Sequence, residues 1–489
     1  MKKIVIVGAG PGGLAAGLLL ASKGYDVHIY EKDDTVGGRN KALKLGAFTF
    51  DVGPTFLLYT DILKQVFHEA NLSMEDYLTL LPIDPLYDLV YKDKTFTPSN
   101  DPSKTIKAIE QTFPGNEEGY LRFMRDQEIL FNRVSPMMMK PFLNTKALLS
   151  KDVLTNGPFI YPFKTIYTLL KSYFKDEELI YGMSFQAKYL GMSAWKAPAL
   201  FTMLSYLEHK YGIFHVKGGL NQINHAFKKA IESYKGSIHL NQAVKEIVIE
   251  NKVTKGIKLS DDHFIKADAV VINADFAYSY KHLIPDKDKH LILKKPIEHY
   301  KFSLSTYMIY LALDKKFPLK HHTIFFAENY EKNVKDITEN LTLTDDFSFY
   351  VQNPSQIDDT LAPPNQSALY ILVPVPNLDA EIDWHKEKNA FKEKVLDKLE
   401  AKIDYSIRSH IIEEKIITPN DWEKDFNVYK GAVFNLSHQL SQMLTRRPKN
   451  KIKAIDGLYL VGGGTHPGSG LPTIYQSALI TSALINKAK

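Results

Sequence analysis

The chain has 489 residues, 44% hydrophobic and 24% charged, a formal net charge of +5 and no cysteine. That length calls for two or three domains, and the composition is that of a soluble globular protein. Disulfides, thiolate metal sites and cysteine nucleophiles are excluded, which fits a reducing cytosol, and so mild a charge does not imply nucleic acid.

The first forty residues carry the strongest local pattern. A β-branched run, Ile4 to Val7, is followed by Gly8, Gly10 and Gly13 in G-x-G-x-x-G spacing. An apolar helix from about Leu14 to Lys23 comes next, then a strand from Val27 to Tyr30 ending on Glu31. In such a unit Gly8 permits the tight turn, Gly10 lets a pyrophosphate approach the backbone, and Gly13 allows close packing of helix on sheet. The helix N-terminus offers unpaired N–H groups and a partial positive charge to phosphate. An acid about 20 residues past the glycines accepts ribose hydroxyls, and Glu31 is placed to do so. Residues 4–21 carry no charge, but five glycines and a proline argue against a helix through lipid or a signal peptide.

The segment DDTVGGRN brings Gly37, Gly38 and Arg39 just past the second strand, where Arg39 could place a fixed positive charge on a pyrophosphate. FTFDVGPTF then supplies Asp51, Gly53, Pro54 and Thr55 at the end of a short strand. In this order GAGPGGL, YEKDDTVGGR and FTFDVGPT resemble the amine-oxidase-like flavoproteins, most closely the bacterial phytoene and diapophytoene (dehydrosqualene) desaturases. A helix reading DILKQVF, Asp61 to Phe67, continues the likeness.

Between residues 105 and 212 apolar and aromatic residues crowd between lysines, with Pro141, Pro158 and Pro162 as breaks. One reading is a helical subdomain with its stripes turned inward. The other is a lid that meets a membrane surface, in which Met137, Met138, Met139, Phe142, Phe159, Tyr161, Phe163 and Tyr173 alternate with Lys140, Lys164, Lys171 and Lys175. Phe214–Ile231 then gives a Gly218–Gly219 turn and an amphipathic helix. Short strands follow to Phe276, including the buried run Ala267–Asn273. Further strands are expected in STYMIYLALD, TIFFAE, FSFYVQN and SALYILVPVP, in a sheet covered on both faces, with a charged helix over Asp383–Ile407. The stretch Ile416–Gln439 resembles the family's T-P-x-D-[FW] segment and glycine loop.

The C-terminal block, Gly457–Ile485, has no charge except on His466. Its glycines and prolines exclude a continuous spanning helix. It reads as a strand (Leu458–Val461), a glycine-rich loop and a helix from about Thr473 whose N-terminus would face the flavin ring. The form G-x-T-H-P-G-x-G-x-P resembles the carotenoid desaturases specifically. It departs from generic flavoproteins of this type, which carry an acid in this loop; Asp456 precedes the strand and is a poor substitute.

The resemblance spans the whole chain and implies an α/β fold (α+β overall), with a Rossmann-like FAD domain of the amine-oxidase/GDI type and a mixed-sheet substrate domain bearing a helical cap. The expected boundaries are 1–104, 213–290 and 450–489 for the FAD domain, 105–212 for the cap and 291–449 for the mixed sheet. It implies non-covalent FAD held by Gly8, Gly10, Pro11, Gly12, Gly13, Glu31, Lys32, Gly38, Arg39, Gly53, Pro54, Thr55, Val244, Gly463, Gly464, Leu471, Pro472 and Thr473. The implied reaction is removal of hydrogen from an allylic C–C bond of a lipid-soluble linear polyene, phytoene or 4,4'-diapophytoene, with oxygen or a quinone as final acceptor. The implied location is the cytoplasm, peripherally on the inner face of the cell membrane. No metal cluster is evident. His466 is a weak candidate proton acceptor, better read as a histidine that orients a tight turn; Asp51 and Asp275 read as loop caps or as bases. Rival readings are a carotenoid oxygenase acting on terminal methyl groups, an amine or protoporphyrinogen oxidase, and a flavin-free prenyl-chain carrier on the same fold.

Overall fold

The first strand, Lys3–Val7, lies at the centre of a five-stranded parallel sheet ordered Ser237–His239, Asp26–Tyr30, Lys3–Val7, Ala269–Ile272, Leu458–Leu460. The protein is described here from a computed structural model covering residues 1–157, 161 and 163–488; Pro158, Phe159 and Pro162 lie outside the described residues. Ala269–Ile272 is buried throughout, as a central strand covered by helices on both faces must be. Helix Pro11–Ala21 starts three residues earlier than its apolar run predicts, because Pro11 has no N–H to lose and its fixed φ suits the first turn. It is apolar on every side and buried between the sheet and the helices Gln222–Ser233 and Leu471–Asn486. Its close approach to the sheet falls at Gly17, where a Cβ would stand 2.8 Å from Ile29 Cδ1. A Cβ on Gly13 would instead strike the Gly8 carbonyl and the Asn273 side chain, so this glycine fixes the loop as well as the helix.

A second sheet has seven strands, ordered Ile411–Ile417, Ser305–Leu313, Ser367–Val375, Phe349–Gln352, His322–Phe325, Asp88–Val90, Thr95–Phe96. All nine residues of Ser305–Leu313 are buried. Tyr307, Ile309, Leu311 and Leu313 pack under helix Trp384–Ile403, whereas Met308, Tyr310 and Ala312 face the opposite core. Burial on both faces is why the sequence alternates so poorly. The first unit is expected to run to residue 104, and within it Asp88–Val90 pairs in parallel with Thr323–Phe325, so this N-terminal stretch joins the seven-stranded sheet. Hydrogen bonding to a distant strand decides that, and local sequence does not reveal it.

Residues 102–211 form the helical layer, including Pro102–Thr112, Glu117–Met138 and Met203–Tyr211. Met137, Phe142, Ile166, Leu169, Leu170 and Phe174 are buried, and the Tyr173 hydroxyl donates to Asp126 at 2.9 Å. The inward reading therefore holds for these positions. Phe163 is 100% exposed, Leu149 71% and Leu154 61%, and they are flanked by exposed Lys146, Lys151 and Lys164. Among the described residues no helix is long and apolar enough to cross a membrane.

Candidate functional site: a cavity from the glycine loop to an apolar chamber

One continuous cavity of about 630 Å³ runs from the glycine loop into the helical layer. Its end at the glycine loop is walled by Gly8, Gly10, Pro11, Gly12, Glu31, Lys32, Gly38, Arg39 and Val244. Gly10, which caps helix Pro11–Ala21, gives no side-chain cap, so first-turn N–H groups have no intrahelical acceptor. Glu31 is buried and organises this end: its Oε2 accepts from Ala9 N at 2.7 Å and its Oε1 from Asp33 N at 3.0 Å. Burial raises its carboxyl pKa, opposed by those two N–H donors. Lys32 is tied to Asp33 at 2.8 Å and to the Asp425 carbonyl at 2.7 Å.

The Arg39 guanidinium lines the cavity and donates from Nη1 to the Val433 carbonyl at 2.6 Å. Burial lowers its pKa, opposed by the Asp275 carboxylate. Both candidate aspartates accept backbone N–H bonds in capping positions. Asp275 accepts from Ala277 N and Tyr278 N at 3.1 Å each and starts helix Phe276–His282. Asp51 accepts from Leu220 N at 2.8 Å and Asn221 N at 2.9 Å, holding the Gly218–Gly219 turn. Gly53, Pro54 and Thr55 line the middle of the cavity, gripped by the large sheet. Tyr310 donates to the Val52 carbonyl at 2.7 Å, Tyr370 to that of Gly53 at 2.8 Å and Gln352 to that of Thr55 at 3.1 Å. These three clamps are 258 to 317 residues away in sequence, and no local signal marks them.

The opposite wall is the C-terminal loop, through Gly463, His466 and the first turn of helix Leu471–Asn486, with Leu471, Pro472 and Thr473 facing the cavity. That helix begins two residues before the predicted Thr473, again on a proline in its first turn. Gly464 is turned away, and a Cβ there would meet Asn435 Oδ1 and Phe276 Cβ at 2.6 Å. Of the predicted cofactor residues, Gly13 and Gly464 are the two that do not line the cavity. Arg447, absent from the sequence reading, pins the loop: it donates to the carbonyls of Gly463 (2.8 Å), Thr465 (3.2 Å) and Leu436 (3.3 Å). His466 lies in the same loop and lines the cavity. One ring nitrogen pairs with the Lys140 carbonyl at 3.0 Å, and burial holds its pKa down at about 4, so it is neutral at physiological pH. Asp456 sits at the start of the last strand, outside the cavity wall.

Beyond the loops the wall turns apolar, with Phe131, Val134, Met137, Met138, Leu200, Phe201, Leu204 and Leu207. Thr55 Oγ1 and the Tyr350 hydroxyl, 2.9 Å apart, stand on the wall, and Tyr350 is 2.5 Å from His322 Nδ1. Burial keeps His322 neutral, its pKa down at about 3.

A Rossmann-type sheet, a glycine loop open to a cavity and a second helix end facing the same space have the form of a nucleotide-binding fold joined to a ligand chamber. The chain belongs to the flavin-containing amine oxidoreductase family, which it matches over residues 11–486, and within it to the carotenoid desaturases. It is 47% identical to a 4,4'-diapophytoene desaturase (4,4'-diapolycopene-forming) from Methylomonas sp., over 99% of this chain and 95% of that one. It is 34% identical to an all-trans-zeta-carotene desaturase from Myxococcus xanthus, over 100% and 94%. A solved Methanosarcina mazei oxidoreductase shares the fold, with a TM-score of 0.66, 19% identity and coverage of 99% and 100%.

Proposed function

We propose that this protein is an FAD-dependent desaturase that removes hydrogen from allylic C–C bonds of a linear polyene, with the C30 hydrocarbon 4,4'-diapophytoene as first candidate. The observation that carries the reading is the single cavity joining a nucleotide cradle to an apolar chamber. Its glycine floor fits a pyrophosphate: at Gly10 a Cβ would meet one atom, Asn273 Nδ2 at 3.0 Å, and would otherwise project into open space. That open floor disfavours the flavin-free carrier. FAD, when bound, supplies the ring that accepts hydride.

The chain's own residues do the rest. The first turn of Pro11–Ala21 and the Arg39 guanidinium hold the phosphates; Glu31, with lone pairs left beside its two backbone bonds, takes the ribose. The apolar walls exclude water and hold a polyene extended. Thr55 Oγ1, the Tyr350 hydroxyl and His322 Nδ1 form a hydrogen-bonded relay: a proton taken up at Thr55 is passed on as Thr55 gives its own to Tyr350 and Tyr350 gives its own to the imidazole nitrogen. No covalent tether is expected: the chain has no cysteine, and the His466 ring is engaged with Lys140. Denaturation should release all flavin into the supernatant as FAD. Electrons pass on to oxygen or a quinone.

The protein works on the cytoplasmic membrane surface, where its substrate dissolves. The cavity wall reaches Leu440, 48% exposed, and continues through Met443 and Leu444. Residues 444–446 pack on 145–149, which brings this mouth beside exposed Leu149. Expression with a phytoene source and, separately, with a diapophytoene source, followed by pigment spectra and product masses, tests the reading. New conjugated double bonds are expected; an unchanged hydrocarbon in both would refute it, and oxygen in the product would establish the oxygenase instead.

A further inference from the structure

Lys188 stands apart in the apolar chamber. It lies on the short turn Phe185–Leu190 and is one of the residues lining the cavity, with Phe185, Phe326 and Tyr330. Its Nζ is sealed from solvent, has no hydrogen-bond partner, and rests 4.6 Å over the Tyr330 ring. The same turn shows what a satisfied polar group looks like: Gln186 donates to Glu208 at 2.8 Å, with the Tyr87 hydroxyl on the same carboxylate oxygen at 2.9 Å. Among the described residues no carboxylate pairs with Lys188. Burial by itself brings its amine down to about 7.

An amine without a partner in an apolar wall is a standing cost, which a methionine of similar length would avoid. The Tyr330 face recovers part of it. The rest is recovered only when an acceptor enters the chamber, and the four-carbon stem lets Nζ swing off the ring to meet one. A terminal carbonyl carried into the same dry space is equally short of a donor, so one hydrogen bond satisfies both groups.

We propose that Lys188 donates from Nζ to a carbonyl oxygen at the end of a linear polyene, so that the chamber prefers carbonyl-ended chains to the bare hydrocarbon of the same length. The proposal rests on the reading of the cavity as a polyene site. Preference of this kind follows from a donor left unpaired when the ligand lacks the oxygen.

The test is binding to the flavin-loaded protein in detergent, with two linear C30 polyenes: the hydrocarbon and its terminal monoaldehyde. Quenching of tryptophan emission reads occupancy, because Trp195 lies 5.9 Å from the Tyr330 ring. Wild type should bind the aldehyde more tightly than the hydrocarbon. Lys188→Met should weaken aldehyde binding about tenfold or more, the size of a hydrogen bond to a charged group, while hydrocarbon binding holds or tightens. Lys188→Gln, which keeps a neutral donor, serves if the methionine variant does not fold, and should lose part of the preference. An aldehyde-to-hydrocarbon ratio unchanged by both substitutions overturns the role of Lys188 and leaves the polyene site standing. Absence of quenching by either polyene in wild type overturns the polyene reading, and the proposal with it.

Discussion

Arg447 is the residue through which the reading of the C-terminal wall can be broken most cleanly. It is almost wholly buried, pairs with no carboxylate among the described residues, and spends its donors on the carbonyls of Gly463, Thr465 and Leu436, with a longer fourth contact to that of Ser437 at 3.5 Å. Two opposed magnitudes decide what Arg447→Met does. The three shorter charge-assisted bonds at about 1.5–3 kcal/mol each amount to roughly 4–9 kcal/mol. Against this stands the burial of a bare guanidinium, whose pKa is held down at about 9 from 12.5, a cost of roughly 5 kcal/mol. The difference runs from about −1 to about 4 kcal/mol, centred near 2 in favour of the arginine, and it is local: the freed carbonyls belong to the loop that lines the cavity. The substitution should therefore loosen flavin more than it unfolds the chain, with the flavin dissociation constant rising about tenfold or more for a loss of that size. The measurement is flavin-to-protein absorbance ratio after dialysis against dilute buffer, beside a thermal melt. A variant that keeps its full flavin and an unchanged dissociation constant would show that the loop holds its shape without Arg447, and the argument would fail.

Three further outcomes follow from particular contacts. Gly13→Ala should leave the protein short of flavin, because its Cβ would fall on the Gly8 carbonyl and the Asn273 amide; a normal flavin ratio would contradict it. Burial pushes the Glu208 carboxyl up to about 7 from 4.5, so the native state binds the extra proton. Its contribution is complete below the unfolded pKa and is lost as pH rises through about 7, up to roughly 3 kcal/mol. Melts at pH 5.5 and 8 should show this fall in wild type and a smaller one in Glu208→Gln; equal falls would refute it. Replacing Leu149, Leu154 and Phe163 together by serine should shift the protein from pelleted anionic vesicles to the supernatant with flavin content intact. A variant that still pellets fully would mean that another surface docks.

The N-terminal strand, glycine loop, helix and second strand were legible in the residues themselves. Their signals are local: a β-branched strand, glycines at fixed spacing, a proline in the first helical turn and an acid after the second strand are chemically required within one short stretch. The C-terminal strand–loop–helix was legible for the same reason, and the wording of these blocks, taken in order, identified the family. Tertiary structure alone decided the residues that hold the loops. Tyr310, Tyr370 and Gln352 clamp the Val52–Thr55 turn across more than two hundred residues of chain, and Arg447 reads in the sequence as one more basic residue in a loop. It also decided which side of an apolar helix is inside. Met137 and Phe142 are buried, whereas Leu149 and Phe163 are bare, although a composition count treats all four alike. Periodicity marks an amphipathic face, but only the packing partner fixes whether that face meets protein, ligand or solvent.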